Sequence, residues 1–491
     1  MLKLHQNITF KLSKIWNKLP YCHIYIITIL FLVSLFFVPN NKILFAFIII
    51  FITCLYLVSK NILSTLLLSF FILSVFQKGL SFSFETYLQS DIFSKPFQYI
   101  ISPGFYFADY ILLLLIYIKI RFKSKQINHT ISWKDVNIII FLCTLMVSIN
   151  FSPIPLASAL YTLQLCFLIL SYVYIKQMQF KTVYKLLTIM ACSLLIFQGT
   201  LSVMQYIKTG KLQIAIESKG DYSWSINTER RSIEDSTFFR SEGTFSDPNF
   251  LALYVASLLP VVIHAFIIKK TPLLIRIVSG YATVMGFFGL ILSASRISWL
   301  FSFIFLGIQM YYLYKYKNKV NNIIFSILVI SIISISTLSL PTIIIPRIQQ
   351  LTSTLSNGGG LSYRLDFIHK SFEMIKLYPF GVGLGMFPFI HFQEFGGSYS
   401  FPAEPHTIFA QVLSETGIAG CISFILFIIF NLKSAVIHFK FSKTFSSEIF
   451  VLTISTSIFL CLSMFYPVLT EYSTISLLFI FFGILDSSYV V

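Results

Sequence analysis

Asn249-Phe-Leu-Ala-Leu-Tyr-Val-Ala-Ser-Leu-Leu-Pro-Val-Val-Ile-His-Ala-Phe-Ile-Ile268, followed at once by Lys269 and Lys270, decides the fold class. Its apolar residues recur with neither a 3.6 nor a 2.0 period. They run almost unbroken for about 20 residues, the length a helix needs to cross the hydrocarbon core of a bilayer. A helix in lipid can be apolar on every face because its backbone polar groups are bonded within it. Comparable blocks lie near 22–38, 43–59, 62–76, 103–120, 136–150, 156–175, 185–206, 274–293, 297–316, 323–345, 406–430, 447–466 and 472–488. The expected fold is all-α, a polytopic membrane protein with roughly 12–14 transmembrane helices.

Composition agrees. The 491 residues are 56% hydrophobic and 11% charged, with a formal net charge of +17. So basic a chain invites a nucleic-acid partner, but basic residues beside spans are the ordinary result of membrane insertion. Lys3, Lys11, Lys14 and Lys18 precede an apolar run from Cys22 to Val38 with no small-residue cleavage site after it, which reads as an uncleaved first span. The seven cysteines lie in or beside apolar blocks and no two share a loop, so neither a disulfide nor a cysteine metal site is expected.

With the N-terminus inside, most of the 36 basic residues fall in short cytoplasmic segments. They include Lys119 to Lys134, Lys176 to Lys185, Lys269 to Arg276, Lys315 to Lys319, and Lys433 to Lys443. The reverse orientation breaks the positive-inside bias at nearly every loop. The chain then divides into membrane helices over 1–206, an outer loop over 207–248, membrane helices over 249–345, a large outer loop over 346–405, and membrane helices over 406–491. Structured loops of such length bind or react with something. In the larger one, Leu365, Ile368, Phe372 and Ile375 recur at helical steps, which predicts an amphipathic helix over 362–378 lying at the outer interface. Pro379 and Gly381-Val-Gly-Leu-Gly385 end it; with no preceding strand, the glycines read as a turn permitting close approach of chains.

Three polar positions share the outer side at span ends. Arg240 opens Arg-Ser-Glu-Gly-Thr-Phe-Ser-Asp-Pro-Asn249, Arg296 lies in Ser293-Ala-Ser-Arg-Ile-Ser-Trp299, and His406 stands in Glu404-Pro-His-Thr407. A boundary arginine can simply snorkel to lipid phosphate. Here Arg296 occupies a turn with almost no loop, with Ser293, Ser295 and Ser298 as further donors, and a planar guanidinium fork suits diphosphate oxygens. Arg240 supplies a second fork from another helix. A lone histidine at a loop end is usually a surface residue, yet Glu404 and Pro405 precede His406, and an imidazole titrates where it can accept a proton from an attacking hydroxyl. His5, His129 and His438 fall inside, His23 and His264 lie in spans, and His369 and His391 sit in the outer loop. Glu415, inside the twelfth span, requires a partner, either a site arginine or a serine of a neighbouring helix; Asp109 in the fourth span is a similar case.

Taken in order, these strings resemble the O-antigen ligase/polymerase family. They are Arg240 to Asn249, Ser293-Ala-Ser-Arg296 with Trp299, Arg364 with Tyr378-Pro-Phe-Gly-Val-Gly383, and His406 with Glu415-Thr-Gly-Ile-Ala-Gly420. The resemblance runs from Arg240 to Phe430. It implies a metal-independent, inverting membrane glycosyltransferase with no cofactor, whose donor is an undecaprenyl-diphosphate-linked glycan. On that pattern Arg240 and Arg296 hold the donor diphosphate and His406 orients or deprotonates the acceptor hydroxyl. Arg364, Glu404, Glu415, Asn249 and Ser295 are the accompanying substrate-binding candidates. Many members carry asparagine after the histidine, where this chain has Thr407.

The expected location is the cytoplasmic (inner) membrane, with both termini inside and the site outside. The expected partners are the lipid-linked donor, a glycan or lipid-linked acceptor, the bilayer and other polysaccharide-assembly proteins, with no nucleic acid. Family size alone favours a polymerase of repeat units. A ligase joining glycan to a lipid core or protein is the first alternative, and a transporter of lipid-linked glycan the second. A transporter should place ionisable groups near the midplane, often in inverted repeats with broken helices.

Overall fold

The computed structural model describes residues 22–38, 41–76, 79–81, 104–121, 133–212, 214, 217, 239–268, 271–316, 361–394, 405, 407–441, 446–469 and 471–487. The apolar runs fold as helices: α1 (Cys22–Ser34), α2 (Asn41–Ser59), α3 (Ile62–Leu73), α4 (Phe107–Arg121), α5 (Trp133–Ile149), α6 (Pro155–Lys176) and α7 (Phe180–Lys208). After these come α8 (Pro248–Ile267), α9 (Leu273–Leu292), α10 (Arg296–Tyr316), α11 (Leu361–Leu377), α12 (Phe387–Glu394), α13 (Ile408–Phe441), α14 (Ser446–Ser463) and α15 (Tyr472–Asp486). Each expected span except 323–345, which lies outside the described residues, coincides with a helix. Six of these, namely α6, α7, α8, α9, α10 and α13, are long and apolar enough to cross a membrane. A short antiparallel ribbon, β1 (Gly79–Ser81) with β2 (Gly104–Tyr106), leads into α4; hydropathy gives no sign of it.

Helices α8 and α15 are buried along almost their whole length, and the others pack around them. Lipid tails are as apolar as these side chains, so helix association in a bilayer rests on close packing. Gly199 of α7 illustrates the requirement, since a Cβ there would lie 2.1 Å from the Met285 carbonyl oxygen of α9. On the periphery Leu113, Leu114, Tyr117 and Ile120 of α4 and Leu300, Phe303 and Ile304 of α10 are exposed, a surface suited to lipid. At one end of α15, Asp486 accepts from Lys134 and from the Tyr172 hydroxyl, and Lys176 pairs with Asp135 at 2.9 Å. Those contacts tie α5, α6 and α15 together at the end of α15 away from its Tyr472 start. Asp109 meets a tyrosine of α15: Tyr472 donates its hydroxyl to Oδ1 at 2.5 Å and the Tyr106 amide donates to Oδ2 at 2.9 Å.

The expected amphipathic helix is α11, but it has two apolar faces. Phe367, Ser371 and Met374 are buried, and α11 packs on α13 along its length. Leu365 and Phe372, on the stripe expected to meet the membrane interface, are 59% and 55% exposed. His391 of α12 is buried between the Phe367 and Phe387 rings, at 5.0 and 5.4 Å, and burial lowers its pKa. It is a packing residue between α11 and α12.

Helix α13 is interrupted at Gly417, whose φ of 78° and ψ of −179° are open only to glycine. Backbone groups released by such a break inside a membrane protein need partners. The segment after α11 supplies them: the Val382 amide donates to Ser414 O at 2.9 Å, the Gly383 amide to Glu415 O at 3.0 Å, and Pro379 O accepts from the Ile418 amide at 3.3 Å. Gly381, Gly383 and Gly385 all have φ between 78° and 90°, and a Cβ on Gly381 would lie 2.5 Å from Glu415 O. The glycine motif is therefore a close-approach turn threaded into the break of α13. Glu415 itself is fully buried and accepts from the Phe387 amide at 3.3 Å, so a backbone group at the start of α12 joins the partners to be reckoned with there.

Gly417→Ala forces a left-handed residue into place with its Cβ 2.5 Å from Pro379 O. The expected result is a lower thermal unfolding midpoint in detergent, by more than about 1–2 kcal/mol of stability. Gly307→Ala, where a Cβ meets nothing within 4 Å, should be neutral or stabilising in the same assay.

Candidate active site

Helix α9 ends in carbonyls that its own turns cannot satisfy. Ala294 follows in a left-handed conformation, φ 52°, so the chain reverses at once into α10. Trp299 Nε1 donates back to Leu290 O at 2.8 Å, closing the turn from the α10 side. The Ile291 carbonyl accepts from the Ala294 amide at 2.9 Å, and the next two carbonyls are taken by the segment before α8. The Ser241 amide donates to Leu292 O at 3.0 Å and Arg240 Nε donates to Ser293 O at 2.9 Å. A guanidinium at a helix C-terminus also meets the negative end of the helix dipole. Arg240 Nη2 donates to Asn249 Oδ1 at 3.0 Å, in the first turn of α8, and Asp247 caps that helix by accepting from the Asn249 amide at 2.6 Å. Arg240 is thus held at the turn from which Arg296 starts α10.

The segment 239–247 lies across the end of α7, pinned by two buried amides one heptad apart. Gln205 Oε1 accepts from the Gly243 amide at 2.8 Å, and its Nε2 donates to Gly243 O and to Glu217, both at 2.8 Å. Gln198 Oε1 accepts from the Thr244 amide at 3.1 Å while its Nε2 donates to Thr244 Oγ1 at 2.7 Å. Nothing in the apolar run of α7 marks these glutamines except their seven-residue spacing.

A third connection joins this group. Between α14 and α15, the Tyr466 hydroxyl shares hydrogen bonds with Ser295 at 2.7 Å and Ser298 at 3.2 Å, flanking Arg296. The Leu469 amide donates to Gln411 Oε1 at 3.1 Å, in the first turn of α13. Glu471 Oε2 accepts from the Ser246 hydroxyl at 3.0 Å. Thr407 starts α13, its Oγ1 accepting from the Ala410 amide at 3.0 Å. Arg240, Asn249, Ser295 and Arg296 therefore gather at one end of the bundle, and the first turn of α13 is tied to the same connection. Arg364 lies in the first turn of α11; His406 and Glu404 lie outside the described residues.

Residues 281–425 match the O-antigen ligase family. The matched stretch runs from mid-α9 through the Ser293–Arg296 turn, α10, α11 and the glycine motif into α13, and it bears out the resemblance to the O-antigen ligase/polymerase family. It supports a membrane glycan-transfer function of the O-antigen ligase/polymerase type. Among curated proteins, none matches the chain. Arg240 and the α14–α15 connection lie outside the O-antigen ligase stretch yet pack directly on its Ser293–Ser298 turn. Sequence reasoning missed Tyr466 and Glu471; the available signal was an acid and a tyrosine in the short Tyr466-Pro-Val-Leu-Thr-Glu471 gap between two apolar runs.

Next to Arg240, Glu242 is buried and pairs with Lys211 at 3.1 Å. Burial raises its carboxyl from 4.5 to about 7, against the pull of the Lys211 ammonium, while Asp247 pushes the same way as burial. The folded state thus binds this proton more tightly than the unfolded chain, and the associated stability is present below about pH 4.5 and lost as pH rises through about 7. In Glu242→Gln, thermal unfolding midpoints followed between pH 4.5 and 8 should lose the part of the decline with rising pH that wild type shows; an unchanged slope rejects this assignment.

Proposed function

We propose that the protein transfers a glycan from an undecaprenyl-diphosphate carrier to an acceptor hydroxyl on the extracytoplasmic face, polymerising surface-polysaccharide repeat units. The supporting observation is the delivery of Arg240 onto the Ser293 carbonyl of the turn that leads into Arg296. Two guanidinium-bearing segments from different helices meet at one bundle end, as a diphosphate leaving group requires. The Ser293 carbonyl and the Asn249 amide oxygen orient the Arg240 fork.

In the proposed reaction the acceptor oxygen attacks the anomeric carbon, and the bond from that carbon to the diphosphate oxygen breaks. The electron pair leaves on the diphosphate, where Arg240 and Arg296 stabilise the developing charge. His406 takes the hydroxyl proton, and attack from the face opposite the leaving group inverts the anomeric centre. Arg364, at the start of α11, is assigned to the same phosphates, and Asn249 and Ser295 to holding the arginines and donor oxygens. The positive-inside bias of the basic segments favours cytoplasmic termini.

An interrupted helix also occurs in transporters, where unwound backbone lines an ion cavity. In α13 the groups around the break instead bond the Pro379–Gly383 chain. That contact favours a scaffold role for the break.

Incubating purified protein with a lipid-linked repeat unit and no other acceptor should produce a ladder of glycan lengths; silence rejects the polymerase assignment. Arg296→Ala and His406→Ala should insert at wild-type levels while losing about 10²-fold or more of the transfer rate. Normal surface polysaccharide in cells carrying either variant overturns its assigned role.

A further inference from the structure

The connection between α14 and α15 touches every segment that carries a candidate catalytic group. Through Tyr466 it holds Ser295 and Ser298 on either side of Arg296. Through the Leu469 amide it holds Gln411, in the first turn of the helix that begins just after His406. Through Glu471 it holds Ser246, in the segment running from Arg240 to Asn249. Few residues separate the three grips, so the connection fixes how far apart those segments stand.

Glu471 is built for such a task. Its side-chain oxygens divide between two hydroxyls, Oε2 accepting from Ser246 at 3.0 Å and Oε1 from Ser473 at 3.1 Å. Its carbonyl accepts from the Thr474 and Ile475 amides and from the Thr474 hydroxyl, which anchors it to the first turn of α15. That helix is the buried central one, fastened at its far end by Asp486 to Lys134 and Tyr172. Glu471, Ser473 and Tyr466 are buried and Ser246 is half-buried, and a network in such surroundings is costly to break by removing one member.

We propose that the α14–α15 connection is a keystone that sets the spacing of the diphosphate-binding arginines, with Glu471 and Tyr466 as its positioning residues. Neither residue takes part in the chemistry. They act by presenting Arg240 and Arg296 at a separation that matches two linked phosphates, so that donors need not rearrange when the ligand arrives. This inference rests on the diphosphate reading of the site.

The test measures binding of undecaprenyl diphosphate to the purified full chain in wild type, Arg296→Ala, Glu471→Ala, Glu471→Gln and Tyr466→Phe, with the unfolding midpoint of each recorded. Glu471→Ala should weaken binding about tenfold and Tyr466→Phe by a smaller factor. Glu471→Gln, whose amide still accepts from Ser246 and can donate to Ser473, should restore binding to near wild type at an unchanged midpoint. If wild type fails to bind, or Arg296→Ala binds as well as wild type, the diphosphate reading has failed and the keystone falls with it. If Arg296→Ala loses binding while Glu471→Ala and Tyr466→Phe bind within about twofold of wild type, the keystone alone is wrong. Equal loss in Glu471→Gln and Glu471→Ala also overturns it, because charge rather than hydrogen-bonded spacing would then be responsible.

Discussion

The hydrogen bond from Arg240 Nε to Ser293 O satisfies a helix end and brings a guanidinium to the turn where α10 begins in the same act. A helix that stops inside or at the edge of a bilayer leaves carbonyls with no intrahelical partner, and little water is at hand to serve them. At the end of α9 these carbonyls are met by a tryptophan, a backbone amide and a guanidinium. The third partner carries a full charge to the place where α10 begins with another arginine. Without the cap, segment 239–247 keeps its ties to the α7 glutamines, to the Ser202 carbonyl and to Lys211, but Arg240 loses its bond to the turn.

The same constraint explains the contact between the glycine motif and α13. Gly417 breaks α13, and the glycine motif after α11 answers with its own amides and a carbonyl. Close approach is possible only because Gly381 and Gly417 lack side chains where a Cβ would fall within 2.6 Å of backbone atoms. Helix α11 packs on α13 and, through Phe367, on Phe387 and His391 of α12, so the glycine motif adds to its link with the bundle. Its Leu365 and Phe372 stripe faces away from the protein, in keeping with a helix lying at a membrane surface.

The membrane fold was legible because span length and charge bias are properties of composition along the chain. Apolar runs announced the helices between Cys22 and Asp486, and the amphipathic helix α11 showed its period. What escaped was anything depending on a single polar residue within an apolar run. Gln198 and Gln205 look like tolerated impurities of α7 until segment 239–247 is laid over them. Gly417 looks like one more small residue of a span, and only its φ of 78° reveals the break. The α11 pattern displayed the exposed stripe and hid the packed one, because Phe367, Ser371 and Met374 include a serine that hydropathy counts against burial. For the site, arginines at span ends stood out by charge, whereas Tyr466 and Glu471 did not, their role residing wholly in contacts to residues far away in sequence.

That distribution bears on how the proposed glycan-transfer site tolerates change. The O-antigen ligase match, residues 281–425, includes the Arg296 turn and the broken helix but neither Arg240 nor the α14–α15 connection. The groups outside the match are joined to those inside it by hydrogen bonds to backbone carbonyls, serine hydroxyls and an amide oxygen. Such acceptors are available from many sequences, so different chains can build the same frame with different partners. A guanidinium opposite a phosphate allows less freedom, because lysine offers a point charge where arginine offers a planar fork. Variation is therefore expected to concentrate in what positions the arginines, while the arginines themselves stay fixed.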